Sequence, residues 1–231
     1  MEAHKLNSAN SQWSWLYKIG GAAAFGMVLL ILVQIVVFMI AAPPLEGSAL
    51  DWFNLFQRNQ ILGLVAFELL MVVYVLLSVP MALALYIAVR NDHPSLSVIF
   101  LAFNLVGVVA FIAARPAFEM LAISQQYAAA TNDAQRTVLL AAGESMLAIF
   151  NGTAFQVSYY LGSLNGLIIS VILLRSKYFS KTTAYVRIAS SMLDFGILVP
   201  SIGIYISIFS VVFMLIWNLL IGRRLFQLSK A

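Results

Sequence analysis

Two carboxylates stand inside long apolar runs: Glu68 in "QILGLVAFELLMVVY" and Asp194 in "SMLDFGILV". A charged side chain at the centre of a bilayer costs about 2.5–3.5 kcal/mol on the insertion scale, so such residues are functional candidates by default. If the runs are helical spans rising about 1.5 Å per residue, both carboxylates fall about 12–15 Å below one boundary. Asn104 and Asn165 fall about 18 Å below the same boundary. Four polar groups from four spans then form a layer near the midplane, where carriers hold their solutes. Two carboxylates approaching in a low dielectric share a proton, because repulsion and desolvation both favour the neutral form. The alternative for Asp194 is structural. Arg187, two turns earlier on the same helix face, or nearby Tyr and Asn side chains would satisfy it.

A second concentration of polarity lies in "GESMLAIFNGTAFQVSYYLGSLNG", Gly143 to Gly166. At 100° per residue, Glu144, Asn151, Phe155, Ser158, Gly162 and Asn165 fall within an arc of about 80°. Helices in lipid associate through small residues and hydrogen-bonding side chains, since no hydrophobic effect drives them together. Glu144, Asn151, Ser158 and Gly162 are therefore read as a buried helix-packing stripe, with a solute-lining face as the lesser reading. Arg115 and Glu119, four apart on one helix, are expected to form a local ion pair.

Other chemistry is excluded by what the chain lacks. An intramembrane metal or haem site needs histidine ligands inside spans, and the only two are His4 and His93, in a tail and a turn. All five lysines lie in tails or loops, so no buried Schiff-base lysine is on offer. There are no cysteines, and no phosphate-binding loop, nucleophile elbow or dinucleotide fingerprint. No enzyme activity and no cofactor are expected.

These residues sit on a very apolar scaffold. Of 231 residues, 62% are hydrophobic and 10% charged, with a mean hydropathy of +0.95, against about 25% charged in soluble domains. A span needs about 20 apolar residues, and six stretches qualify: 19–42, 60–89, 96–114, 153–174, 184–199 and 203–222. The first, ended by Pro43-Pro44, is expected to be a retained anchor. Pro80 should kink the second, and a tight turn around Pro200 and Gly203 should join the last two as a hairpin. Segment 45–59 reads as an interfacial amphipathic helix, with Leu50, Phe53, Leu55 and Phe56 beside Trp52. Pro116 and Asn132 supply helix-start signals, so 116–150 is expected to be a helical hairpin on the outer side.

The fold class is thus an all-α polytopic transmembrane bundle of six spans with an outer hairpin. It divides into a cytoplasmic tail 1–18, a single membrane domain 19–222 and a cytoplasmic tail 223–231. With the N-terminus cytoplasmic, ten basic residues fall on the inner side against Arg58, Arg115 and Arg136 outside, the bias expected of short loops. Topology accounts for the net charge of +4, and no nucleic-acid partner is expected.

Three strings carry a resemblance: "RPAFEMLAISQQYAAATNDAQR", "AAGESMLAIFNGTAFQVSYYLGSLNGLIIS" and "RSKYFSKTTAYVRIA". Together, over about 50–222, the chain resembles a bacterial membrane family catalogued as domain of unknown function 4386. The resemblance implies a multi-helix protein of the bacterial inner membrane, and no activity, ligand or catalytic residue comes with it. On the residues alone, the narrow preference is a structural or partner-binding membrane component, with lipid around it and a protein partner at the outer hairpin. The alternative is a carrier or receptor for a small solute or lipid at the midplane layer.

Overall fold

The computed structural model describes residues 2–199 and 202–230. Ten α-helices follow in order: α1 Glu2–Ile40, α2 Ala49–Arg58, α3 Gln60–Ala66, α4 Leu69–Val89, α5 Pro94–Ala113, α6 Ala117–Ala129, α7 Asp133–Phe150, α8 Thr153–Arg175, α9 Lys181–Asp194 and α10 Gly203–Leu228, with a 3₁₀ helix at Phe195–Leu198. No strand occurs among the described residues. The expected tail 1–18 is largely helical, forming the start of α1. Pro200, expected in the last turn, lies outside the described residues.

Among the described residues, five stretches are long and apolar enough to cross a membrane: Gln12–Ile40, Leu69–Val89, Pro94–Ala129, Asp133–Arg175 and Ile206–Leu228. The chain is a multi-pass membrane protein. The sixth expected span, 184–199, is α9 and the 3₁₀ helix. It is shorter and carries Lys181, Arg187 and Asp194, which is why it does not stand with the other five.

The domain expected over 19–222 parts into two compact units, the first formed by 1–29, 74–109 and 158–231, the second by 30–73 and 110–157. In the first, Met27, Met81, Leu85, Ile169, Ile172, Leu173, Ile221 and Leu225 build the core. Small residues bring its helices together: a Cβ on Gly20 would stand 2.5 Å from Ala84 Cβ. That close approach is how helices gain contact in lipid. α9 packs along α10, its next neighbour in the chain.

The second unit is built around α2. Ser48 gives both its N–H and its hydroxyl to the Asp51 carboxylate at 2.8 Å, which fixes the helix start. Trp52, Phe53 and Phe56 are buried with Phe67, Met120 and Phe150, and α2 packs on α3, α6 and α7. Its apolar face is met by protein, where the sequence suggested a membrane interface. α6 and α7 form the hairpin; the Asn132 side chain caps α7 by accepting from the Gln135 N–H at 2.9 Å.

Candidate functional site

Glu68 lies in the second unit, where the expected long span 60–89 is interrupted. The helix stops at Ala66 and restarts at Leu69, and Glu68 between them has φ 62, the one positive value at a non-glycine residue among those described. Side chains other than glycine avoid that region because Cβ crowds the backbone. The break is well supported. Val65 O accepts from the Glu68 N–H at 3.0 Å and from Gln34 Nε2 at 3.1 Å, while Glu68 O starts α4 by accepting from Met71 and Val72.

What holds Glu68 there is Arg115. Its Nε and Nη2 both meet Glu68 Oε2 at 2.7 Å, and Nη1 donates to Ala114 O and Phe150 O at 3.1 Å. The rings of Phe111, Phe150 and Phe155 stand 4.4, 4.2 and 4.6 Å from the guanidinium carbon. Arg115 is buried, and its charge is matched by one carboxylate and three π faces. The local pair expected with Glu119 is therefore corrected: Glu119 is exposed in the first turn of α6. Glu68 is used as a bolt, with Asp194 in the other unit on a separate set of partners.

Asp194 ends α9 in the first unit. Arg187, Ser190, Ser191 and Asp194 follow the i, i+3, i+4, i+7 spacing of one helix face, and on α10 Ser207, Ser210, Trp217 and Asn218, at i, i+3, i+10 and i+11, also share a face. Asp194 is buried, the Ser210 hydroxyl serves its carboxylate and Arg187 acts on it at longer range. No direct bridge joins Arg187 and Asp194, since the salt bridge found among the described residues is Glu68–Arg115. Arg187 makes only long contacts, Nη2 to Gly162 O at 3.3 Å and Nη1 to Ser190 Oγ at 3.4 Å, with the Trp217 ring 5.1 Å away.

Around this loosely held charge, buried polar atoms go without hydrogen bonds: Arg187 Nε, Ser191 Oγ, Trp217 Nε1 and Asn165 Oδ1, while the buried Asn218 amide faces the Tyr74 hydroxyl. Native proteins leave few such groups, because each costs about 1–3 kcal/mol. The helices are close here. A Cβ on Gly166 would stand 2.6 Å from Arg187 Nε and would collide with Ser191 Oγ. The cluster thus holds one cation, one anion, two amides, hydroxyls and an indole N–H, closed over one another and incompletely satisfied.

A family model described as "Domain of unknown function (DUF4386)" matches residues 19–223. The chain belongs to this family. No curated protein and no solved structure matches it. The matched range of this DUF4386 member contains Glu68, Arg115, Arg187 and Asp194, so both polar centres lie within the family domain.

The remaining candidates of the DUF4386 chain divide between the units. Asn104 donates to Ser78 Oγ at 3.3 Å in the first unit, and its Oδ1 is buried without a partner. Asn165, with its Oδ1 buried and unpartnered, stands one residue before Gly166, which meets Arg187. Of the stripe, Ser158 is buried, but Glu144, Asn151 and Gly162 are exposed, and nothing stands near the position of a Gly162 Cβ. The helix breaks between Phe150 and Thr153, so the phase that placed these residues on one arc does not carry across. Glu144 instead accepts from the Ala49 N–H at 2.7 Å, at the start of α2. With Glu46, Trp52 and Asn151 it lines a groove of about 340 Å³. Sequence reasoning missed Ser191, Trp217 and Asn218. The i, i+3, i+4, i+7 polarity of "RIASSMLD" was the signal that could have found Ser191.

Proposed function

We propose that this protein is a carrier or receptor for a small polar solute in the bacterial plasma membrane, bound among α8, α9 and α10 of the first unit. The observation that carries this reading is the set of buried, unpartnered polar atoms around Arg187 and Asp194. A charged pair that is not bridged, flanked by free donors and acceptors, is what a solute with both kinds of group would complete. The mixture of one cation and one anion favours a small zwitterion or polyol over a strongly charged species. In lipid such groups are expensive, which supports a role in function. We read the chain as a non-enzyme, since the serines of this cluster have no histidine beside them to activate one as a nucleophile.

The test is thermal unfolding in lipid nanodiscs against a panel of small zwitterions and polyols. A solute at about 100 times its Kd adds about 2.7 kcal/mol of stability. A binding member of the panel should raise Tm in the native protein, and Arg187→Gln and Asp194→Asn should abolish the rise. A rise of equal size in both variants would place binding elsewhere and remove this reading.

The partner-binding reading rests on the second unit, whose hairpin exposes Phe118 and Val138. We keep it as a role for that unit, which presents no comparable set of unpaired groups around a charge. For orientation, we propose both termini in the cytoplasm on the ten-to-three charge bias. α9 and the 3₁₀ helix serve as the sixth crossing: 14 and 4 residues reach about 29 Å, close to the hydrocarbon thickness of about 30 Å. Reporter fusions in 90–95 and 175–182 should read cytoplasmic, and those in 120–150 external. A cytoplasmic signal from 120–150 would contradict the assignment.

A further inference from the structure

At the C-terminal end of α10, Phe25, Leu219 and Phe226 form one side of a groove of about 460 Å³, and Arg223, Gln227 and Lys230 line the rest. Glycine brings the two helices beside it close together. α1 and α10 meet at Gly21 and Gly222, where a Cβ on Gly21 would stand 3.1 Å from Gly222 O, and one on Gly222 would stand 3.2 Å from Gly21 O. That contact leaves Phe25 and Phe226 to stack at 5.9 Å beside it. Arg223 and Lys230 are exposed and make no ion pair among the described residues. Gln227 Oε1 is occupied, accepting from Arg224 Nη1 at 2.9 Å. Arg224 itself is used, donating through Nε to Tyr178 O. Arg223, Gln227 and Lys230 line the groove with their aliphatic stems, and their exposed ends offer a guanidinium, an amide N–H₂ and an ammonium beside it, with the one nearby acceptor taken.

We propose that this groove is a binding site for an anionic phospholipid. The phosphate sits between Arg223 and Lys230, Gln227 donates to it, and one acyl chain lies along Phe25, Leu219 and Phe226. The place suits that occupant: α10 belongs to a span, Ile206–Leu228, so its C-terminal turn meets the headgroup level of the leaflet. Two unpaired cations beside an apolar trough match a molecule with an anion at one end and hydrocarbon at the other. The volume lies in the range of small-molecule sites. This site shares no residue with the Arg187 cluster and stands independently of it.

The probes are dioleoyl phosphatidylglycerol and dioleoyl phosphatidylcholine, titrated onto the full chain in a neutral detergent and read by native mass spectrometry. Phosphatidylglycerol should be retained in preference. Each basic residue near a membrane surface is worth roughly fivefold in attraction to anionic lipid. The double variant Arg223→Gln/Lys230→Gln should therefore lose roughly 30-fold in phosphatidylglycerol binding while phosphatidylcholine binding stays put. Leu219→Trp, which keeps both cations and fills the trough, should also lose phosphatidylglycerol. An unchanged preference in the double variant would overturn the proposal. So would displacement of the lipid by glycerol phosphate at equal concentration, which would make the site one for a free phosphate and not for a lipid.

Discussion

Arg115→Met should destabilise the protein by about 3–5 kcal/mol, the usual cost of removing one partner from a buried pair. The Glu68 side chain is 24% exposed, so the lower end applies. Methionine keeps the apolar stem but loses every hydrogen bond of the guanidinium, leaving Glu68, Ala114 O and Phe150 O without it. Arg115→Lys should be intermediate, because a point charge cannot reproduce the fork. Arg115→Met/Glu68→Met should recover most of the loss, since no charge is then left alone. Glu68→Gly relieves the left-handed backbone, worth about 1–3 kcal/mol, but gives up the pair. It should be destabilised, though less than Glu68→Val, whose branched side chain fits that backbone worst. Thermal unfolding in nanodiscs, with hydrogen exchange to localise the change to 30–73 and 110–157, reads all of these. An Arg115→Met variant as stable as the native chain would mean that the pair does not hold the helix break.

The elements were legible where local chemistry is strong. Pro43-Pro44 ends the first helix, Asn132 starts α7, and apolar length marks five spans. The break at Glu68 was not legible, because nothing in "VAFELL" is a glycine or proline. An ion pair 47 positions away in the sequence imposes it. That one break also explains the error in depth: counting from residue 60 put Glu68 well inside a span, whereas the span starts at Leu69 and Glu68 stands at its end. The stripe failed for the same kind of reason, as the turn at Asn151-Gly152 resets the helical phase between Glu144 and Ser158. Asp194 and Arg187 were recognised because charge in an apolar run is conspicuous. Ser191 passes unnoticed in sequence because serine is ordinary in membrane helices, and only its juxtaposition with Arg187 leaves polar atoms unpaired.

The central claim is that the Arg187 cluster opens to a solute, and it makes a large kinetic prediction. Ser191 is fully buried, and the chain has no cysteine, so Ser191→Cys places the protein's sole thiol in the cluster. A site that serves a solute must open without global unfolding, as a minor state of about 0.1–10%. Labelling of a closed thiol follows the population of its open form. Access limited to unfolding would instead track a fraction of about 10⁻³–10⁻⁶. Two single-cysteine variants set the scale. Thr182→Cys on α9 is exposed, and Ile172→Cys sits in the apolar core of the same unit with no accessible surface.

The decisive measurement is the rate at which a charged, water-soluble methanethiosulfonate modifies these three variants in nanodiscs under native conditions. Ser191→Cys should react roughly 10 to 1,000 times more slowly than Thr182→Cys, as a minor open state requires, and much faster than Ile172→Cys. A solute that raises Tm should slow it further. If Ser191→Cys is as unreactive as Ile172→Cys, the polar groups form a sealed structural network and the proposed site does not exist.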